Sequence, residues 1–159
     1  MQGIDKYRRL YKAIGYTFTN ESLLEQALTH RSAAKQHNER LEFLGDAILG
    51  MIVGETLFKR FPTVPEGKLT RMRSTLVKGD TLAELAKEAS VGELLNLGPG
   101  ELKSGGHRRS SILADAVEAI LGAIYLDSGM DEVRGVIDRL WETRINKLDP
   151  NAHPKDSKT

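Results

Sequence analysis

The stretch Asn38-Glu-Arg-Leu-Glu-Phe-Leu-Gly-Asp-Ala-Ile-Leu-Gly50 is the one on which the fold turns. As a helix it places Glu39, Glu42 and Asp46 at i, i+3 and i+7. At about 100° per residue these side chains share an arc of roughly 60° over two turns. Nearly every other position is apolar: Leu41, Phe43, Leu44, Ala47, Ile48 and Leu49, then Met51, Ile52 and Val53. A helix apolar almost all round is a buried helix. Acidic side chains are rarely buried unless they are paired or bound to something. The spacing therefore predicts a central core helix that carries a line of carboxylates needing an explanation.

A second segment has the same character. Between Ile112 and Leu126 the only charged residues are Asp115 and Glu118, at i and i+3 on one face. Packed with the acidic stripes facing, the two helices would bring Glu42, Asp46, Asp115 and Glu118 together. Two unit charges ~5 Å apart at an effective dielectric of ~20 repel by about 3 kcal/mol. Four carboxylates must therefore protonate or bind cations. An all-oxygen donor set without His or Cys favours Mg²⁺, with Mn²⁺ able to substitute, over zinc. Metal ions held by a few carboxylates, with positions left for water and phosphate, suit phosphoryl chemistry. An isolated i, i+3 acidic pair is more often a solvated face. Two such pairs on two otherwise apolar helices weigh evenly between that and a metal site, with the substrate left open.

The remaining pattern is helical throughout. Tyr7, Leu10, Tyr11 and Ile14 predict a first helix ending near Gly15. Leu23, Leu24, Ala27 and Leu28 predict a second, capped by Thr19 or Asn20. The polar run 29–37 reads as a connection. Asn38 then caps the long helix, which runs to about Arg60 and is ended by Pro62 and Pro65. Leu69, Met72, Leu76 and Val77 line a helix after Gly67. Leu82, Leu85, Ala86 and Ala89 line another, capped by Asp80. Residues 90–106 are glycine-rich and read as a loop with one short turn. Val133, Val136, Ile137, Leu140 and Trp141 line the last helix. With no period-two alternation, the fold class is all-α: a helical bundle around a buried central helix.

The chain of 159 residues suits one domain, and a 40% hydrophobic, 28% charged composition suits a soluble globular protein. It has no cysteine, which excludes a disulfide framework and a thiolate nucleophile and fits a reducing cytoplasm. Met1–Arg9 lack the apolar core of a signal peptide, and the longest uncharged apolar runs, 47–54 and 119–126, are far too short to span a membrane. A net charge of +1 argues mildly against a nucleic-acid partner. Basic residues nevertheless cluster at Lys68, Arg71, Arg73 and Lys78 and again at Lys103, Arg108 and Arg109. The histidines show no ligand spacing and read as structural or exposed. The serines lie in no nucleophile elbow. The loop 98–106 lacks the order of a nucleotide-binding loop. With His107, Arg108 and Arg109 it could contact a phosphate backbone, as could Arg71 and Arg73; a flexible connector and a solubilising helix face are equally good accounts. Residues 149–159 read as a linker or tail.

Asn38-Glu-Arg-Leu-Glu-Phe-Leu-Gly-Asp46 closely resembles the signature motif of the ribonuclease III family. The similarity continues through Leu28-Thr-His-Arg-Ser32, Phe61-Pro with Glu66-Gly, Leu97-Gly-Pro-Gly-Glu-Leu-Lys-Ser-Gly-Gly106 and Ile112-Leu-Ala-Asp115 with Glu118-Ala. It implies a nuclease domain over residues 1–148, with 149–159 leading toward an RNA-binding domain that this sequence does not contain. It further implies a cytoplasmic, Mg²⁺-dependent endonuclease that cuts double-stranded RNA as a homodimer. Each subunit would contribute one site that cuts one strand, leaving 5′-phosphate and 3′-hydroxyl ends with short 3′ overhangs. Precursor rRNA would be a substrate, with some mRNA and tRNA transcripts. By position, Glu42, Asp46, Asp115 and Glu118 would be the metal ligands, with Asp46 and Glu118 most directly catalytic. Glu39 and Glu66 would shape the cleft and its RNA-facing rim; Arg71, Arg73, Lys103, Arg108 and Arg109, picked out by their charge clustering, are expected to lie near the RNA. Phe43 would insert into the partner subunit. Without the second domain, cutting is expected only at low salt or with Mn²⁺, because fewer phosphate contacts mean weaker and more salt-sensitive binding. A rival all-α class, the nucleoside-triphosphate pyrophosphohydrolases, also uses paired acids on helices around Mg²⁺ and would cut no RNA. A non-catalytic RNA-binding scaffold on the same fold is a second rival, which the complete acidic set disfavours.

Overall fold

A computed structural model describes residues 6–151. Among the described residues eight α-helices follow in order: α1 Arg8–Ile14, α2 Glu21–Ala27, α3 Glu39–Arg60, α4 Glu66–Val77, α5 Gly79–Glu88, α6 Pro99–Lys103, α7 Ser110–Ser128 and α8 Met130–Asn146. Two 3₁₀ turns, Val91–Leu94 and Gly106–Arg108, flank α6. Among the described residues the only extended pairing is one parallel bridge between Thr29 and Asn96. Of the predicted tail, residues 149–151 form a turn in which the Asn151 N–H donates to Asp149 at 2.9 Å; Pro154 and Ser157 lie outside the described residues.

Local chemistry sets the helix ends. Asn20 accepts from the Ser22 N–H at 3.1 Å and caps α2. Gly15 closes α1 in the left-handed region at φ 69°. The long α3 carries Glu39 and Glu42 in its first turn and Lys59 and Arg60 in its last, matching the helix dipole. Two caps differ from expectation. Asn38 precedes α3 but makes no side-chain cap; it is buried, and its Nδ2 donates to the Ala27 carbonyl at 3.0 Å, tying α2 to the start of α3. Asp80 lies inside the first turn of α5, which begins at Gly79 without a side-chain cap. Residues 90–106 hold more structure than a loop with one turn, because Pro99 starts α6 and glycines space the short helical pieces.

The most deeply enclosed helix is α7, which packs against α2, α3, α5 and α8. All of 112–124 except Asp115 is buried. Trp141 of α8 is fully buried beside it, and its Nε1–H donates to the Leu76 carbonyl at 2.8 Å. By contrast, α3 is buried on one side only. Leu41, Gly45, Ile48, Leu49, Ile52 and Val53 face the core, while Phe43 (80% exposed), Ala47, Met51 and Phe58 face outward. A pattern apolar all round therefore marks two faces here, one packed in the monomer and one open.

Where α3 and α7 cross, their backbones nearly touch. A Cβ on Gly45 would collide with the Glu118 carbonyl and stand 3.0 Å from Gly122 N; one on Gly122 would collide with the Leu41 carbonyl and stand 3.1 Å from Gly45 N. Glycine at both positions leaves room for the two backbones to meet without side chains between them. This crossing brings the two acidic stripes together.

Candidate metal centre

Glu42 stands one turn before Gly45 on α3 and Asp46 immediately after it; Asp115 and Glu118 occupy the facing turn of α7. All four line one open cleft of about 990 Å³. A carboxylate oxygen from each of Glu42, Asp115 and Glu118 lies within 4.8 Å of the other two. Asp46 is more exposed and stands beside Glu118. Glu118 is only 8% exposed.

Three of these carboxyls are held above the ordinary carboxylate range. Burial raises the Glu118 carboxyl to about 9, helped by its hydrogen bond to Asp46 and by the charges of Asp46, Glu42 and Asp115. Burial likewise raises Glu42 to about 7, with the charge of Asp115 and a shared hydrogen bond adding to the effect. Asp115 is also raised, chiefly by burial, against the opposing influence of that hydrogen bond and of His30. Each burial effect disfavours the charged form, and each neighbouring acid adds like-charge repulsion. A divalent cation would relieve both. Three converging oxygens, a fourth carboxylate at the edge and an open side for water fit a hard ion that keeps part of its hydration shell.

The other predicted residues scatter. Glu39 lines the cleft rim, 3.7 Å from Arg31. Phe43 stands at the cleft edge. Arg109 reaches the cleft but pairs there with Glu101, which had no predicted role. Glu66, Arg71 and Arg73 lie on α4, outside the residues that line the cleft; Arg73 packs over Gly54. Lys103 ends α6 exposed, and Arg108 borders a separate hollow with Lys87 and His107. His30 and Ser32 also line the cleft. No periodic signal could have found them, because loop contacts from a distant segment place them.

A family model described as ribonuclease-III-like matches residues 20–144. The chain belongs to the ribonuclease III family. Ribonuclease 3 of Shewanella amazonensis is 57% identical over 159 residues, all of this chain and 70% of that protein. The crystal structure of the nuclease domain of ribonuclease III from Campylobacter jejuni is 40% identical, with a TM-score of 0.84 over 89% of this chain and 97% of that one. A second structure of that domain, with a TM-score of 0.83 and 40% identity over 87% of this chain and 97% of that one, concerns structural flexibility in a region involved in dimer formation. Membership of the ribonuclease III family sets aside the pyrophosphohydrolase alternative. Among the described residues no helix is long and apolar enough to cross a membrane.

Proposed function

We propose that this chain is a divalent-metal-dependent endoribonuclease that cuts double-stranded RNA as a homodimer in the cytoplasm. The observation that carries the proposal is the convergence of Glu42, Asp115 and Glu118 within 4.8 Å in an open cleft. Glu42, Asp46, Asp115 and Glu118 hold Mg²⁺, or Mn²⁺ in its place, and Asp46 and Glu118 lie nearest the reaction. When bound, the metal supplies an acidified water and neutralises charge on the phosphate. The chain's own part is to release the Glu42 and Glu118 protons on loading, to fix the carboxylates through the α3–α7 crossing, and to keep the cleft open to solvent. An acidic cleft repels an RNA backbone until its charge is neutralised, so productive RNA entry depends on the ion. Glu39 shapes the rim, while Glu66 stands away from it on α4 with Arg71 and Arg73; these two arginines, Lys103 and Arg108 contact backbone phosphates. Arg109 can do so only by leaving Glu101. Duplex RNA is recognised largely by shape, which suits structured precursors of rRNA, mRNA and tRNA. The products carry 5′-phosphates, 3′-hydroxyls and short 3′ overhangs.

The dimer rests on the outward stripe of α3. Phe43, Ala47, Met51, Gly54 and Phe58 recur at helical spacing, with Phe43 80%, Met51 50% and Phe58 71% exposed. A contiguous exposed apolar stripe marks an interaction surface, and a twofold pairing on it sets the two clefts side by side.

Incubation with a long RNA duplex, with and without Mg²⁺, followed by sizing of the products, tests the proposal. The expected result is Mg²⁺-dependent shortening that disappears in Glu118→Gln and Asp46→Asn while both variants stay folded and dimeric. Cutting that survives these substitutions would contradict the assignment.

A further inference from the structure

The segment Leu28–Ser32 is unusually well fastened for a connection. The His30 N–H donates to the Asn96 carbonyl at 3.0 Å and the Asn96 N–H to the Leu28 carbonyl at 2.9 Å. Asn96 Nδ2 donates to Thr29 Oγ1 at 3.1 Å. The Gly98 N–H donates to Ser32 Oγ at 2.9 Å. Two loops distant in sequence thus form one clasp, and His30 stands on it at the wall of the acidic cleft.

The clasp also settles the imidazole. The Ser32 N–H donates to His30 Nδ1 at 3.1 Å, and Ser32 Oγ lies 2.8 Å from the same nitrogen. A backbone N–H can only donate, so Nδ1 is the acceptor and the ring proton sits on Nε2. Because Ser32 Oγ already accepts from Gly98, its own hydroxyl proton is available to Nδ1. Among the described residues Nε2 has no hydrogen-bond partner, and the ring lines the same cleft as Asp115. A lysine or arginine here would pair with Asp115 and compete with a cation for it. A further carboxylate would add to the repulsion. A neutral N–H donor does neither.

We propose that His30 is a substrate-positioning residue whose Nε2–H donates to a non-bridging oxygen of the RNA phosphate in the cleft. The proposal rests on the RNA-cutting function proposed above. Ser32 acts one step behind, by holding the tautomer.

The test compares His30→Leu, His30→Gln and Ser32→Ala in the full chain on duplex RNA with Mg²⁺. Glutamine carries its amide N–H where Nε2 stood and needs no support from Ser32. Leucine should lower kcat about 100-fold, the scale for losing one preorganised donor, with KM within about threefold because other phosphate contacts set it. Glutamine should cut within about fivefold of wild type. Ser32→Ala should lower kcat about tenfold alone and not at all when added to His30→Gln. The Mg²⁺-induced rise in melting temperature should be the same in all variants, since no ligand to the ion is touched. Leucine cutting within about threefold of wild type would overturn the proposal. So would glutamine falling as far as leucine while folded, or loss of the Mg²⁺-induced rise, which would move His30 into the metal set. A wild-type chain that cuts no duplex under these conditions removes the functional proposal and this one with it; a wild type that cuts beside an unaffected His30→Leu removes this one alone.

Discussion

Glu42 and Glu55 are acids on the same helix, 13 positions apart, with opposite surroundings. Glu55 meets Arg134 of α8 and lies 3.6 Å from Lys59. Its carboxyl is held below the ordinary range, first by the hydrogen bond from Arg134 and then by the charges of Arg134 and Lys59. Glu42 meets Asp115, Glu39 and Asp46, and burial with like charge pushes it up to about 7. One acid is answered by the chain's own cations. Among the described residues no cation answers the other. Paired acids stabilise a surface; acids that converge without a cation form a group that could hold one.

The largest contrast should come from neutralising one acid of each kind, Glu118 from the cluster on α7 and Glu55 from the ion pair. Glu118→Gln should reduce Mg²⁺-dependent duplex cutting by at least about 1000-fold, as losses at catalytic groups commonly do. Glu55→Gln should leave cutting unchanged. Cutting assays on the two purified variants, with circular dichroism to confirm folding, give the comparison directly.

Next in size is the crossing itself. Gly45→Ala places a methyl group against the Glu118 carbonyl, so α3 and α7 must separate. Overpacking of this kind costs roughly 1–3 kcal/mol and more when backbone must move. Denaturant unfolding should show a lower midpoint at unchanged slope, and the Mg²⁺-induced thermal shift should weaken with it. Gly100→Ala, on α6 with open space around it, should be neutral or slightly stabilising.

The pH dependence of stability follows from the same asymmetry. Glu42 and Glu118 have folded pKa values of about 7 and about 9, above the 4.5 of an unconstrained glutamate. The folded metal-free state therefore binds more protons than the unfolded one between those limits. Stability should be highest below pH 4.5 as far as these groups are concerned, and should fall as pH rises through 7 and on to 9. Acid losses elsewhere, including at Glu55 and Asp127, whose carboxyls are held low, run the other way. Thermal melts from pH 6 to pH 9, with chelator and with Mg²⁺, should show a falling midpoint that the ion flattens or reverses. The smallest effect is that of Glu55→Gln on stability, a slight lowering of the melting temperature that vanishes at high salt. A larger loss would mean that the Glu55–Arg134 contact does more than join two surfaces.

Much of the site is legible in residue spacing, for a physical reason. Glu42, Asp46, Asp115 and Glu118 stand out because a carboxylate inside an apolar helical repeat violates the usual partition between core and surface. Gly45 and Gly122 carry no such signal. Glycine inside a helix ordinarily weakens it, and only the facing backbone reveals why it is required. The outward half of α3 is illegible for a related reason: Phe43 and Met51 look like core residues whether their own chain or a second copy covers them. Glu101, Arg109, His30 and Ser32 come to the cleft through an ion pair and loop-to-loop hydrogen bonds between segments far apart in the chain, and periodicity is blind to those. Asn38 shows the converse error. Its position suits a cap, yet burial turns its amide toward Ala27 instead.

Calorimetric titration of the metal-free protein with Mg²⁺ at pH 8, repeated in buffers of different ionisation enthalpy, bears most directly on the claim that these acids hold protons when empty and a divalent cation when loaded. With Glu118 at about 9 and Glu42 at about 7, wild type should release about one proton per site on binding. Glu118→Gln should bind more weakly and release almost none. Binding by wild type without proton release, or release undiminished in Glu118→Gln, would contradict it.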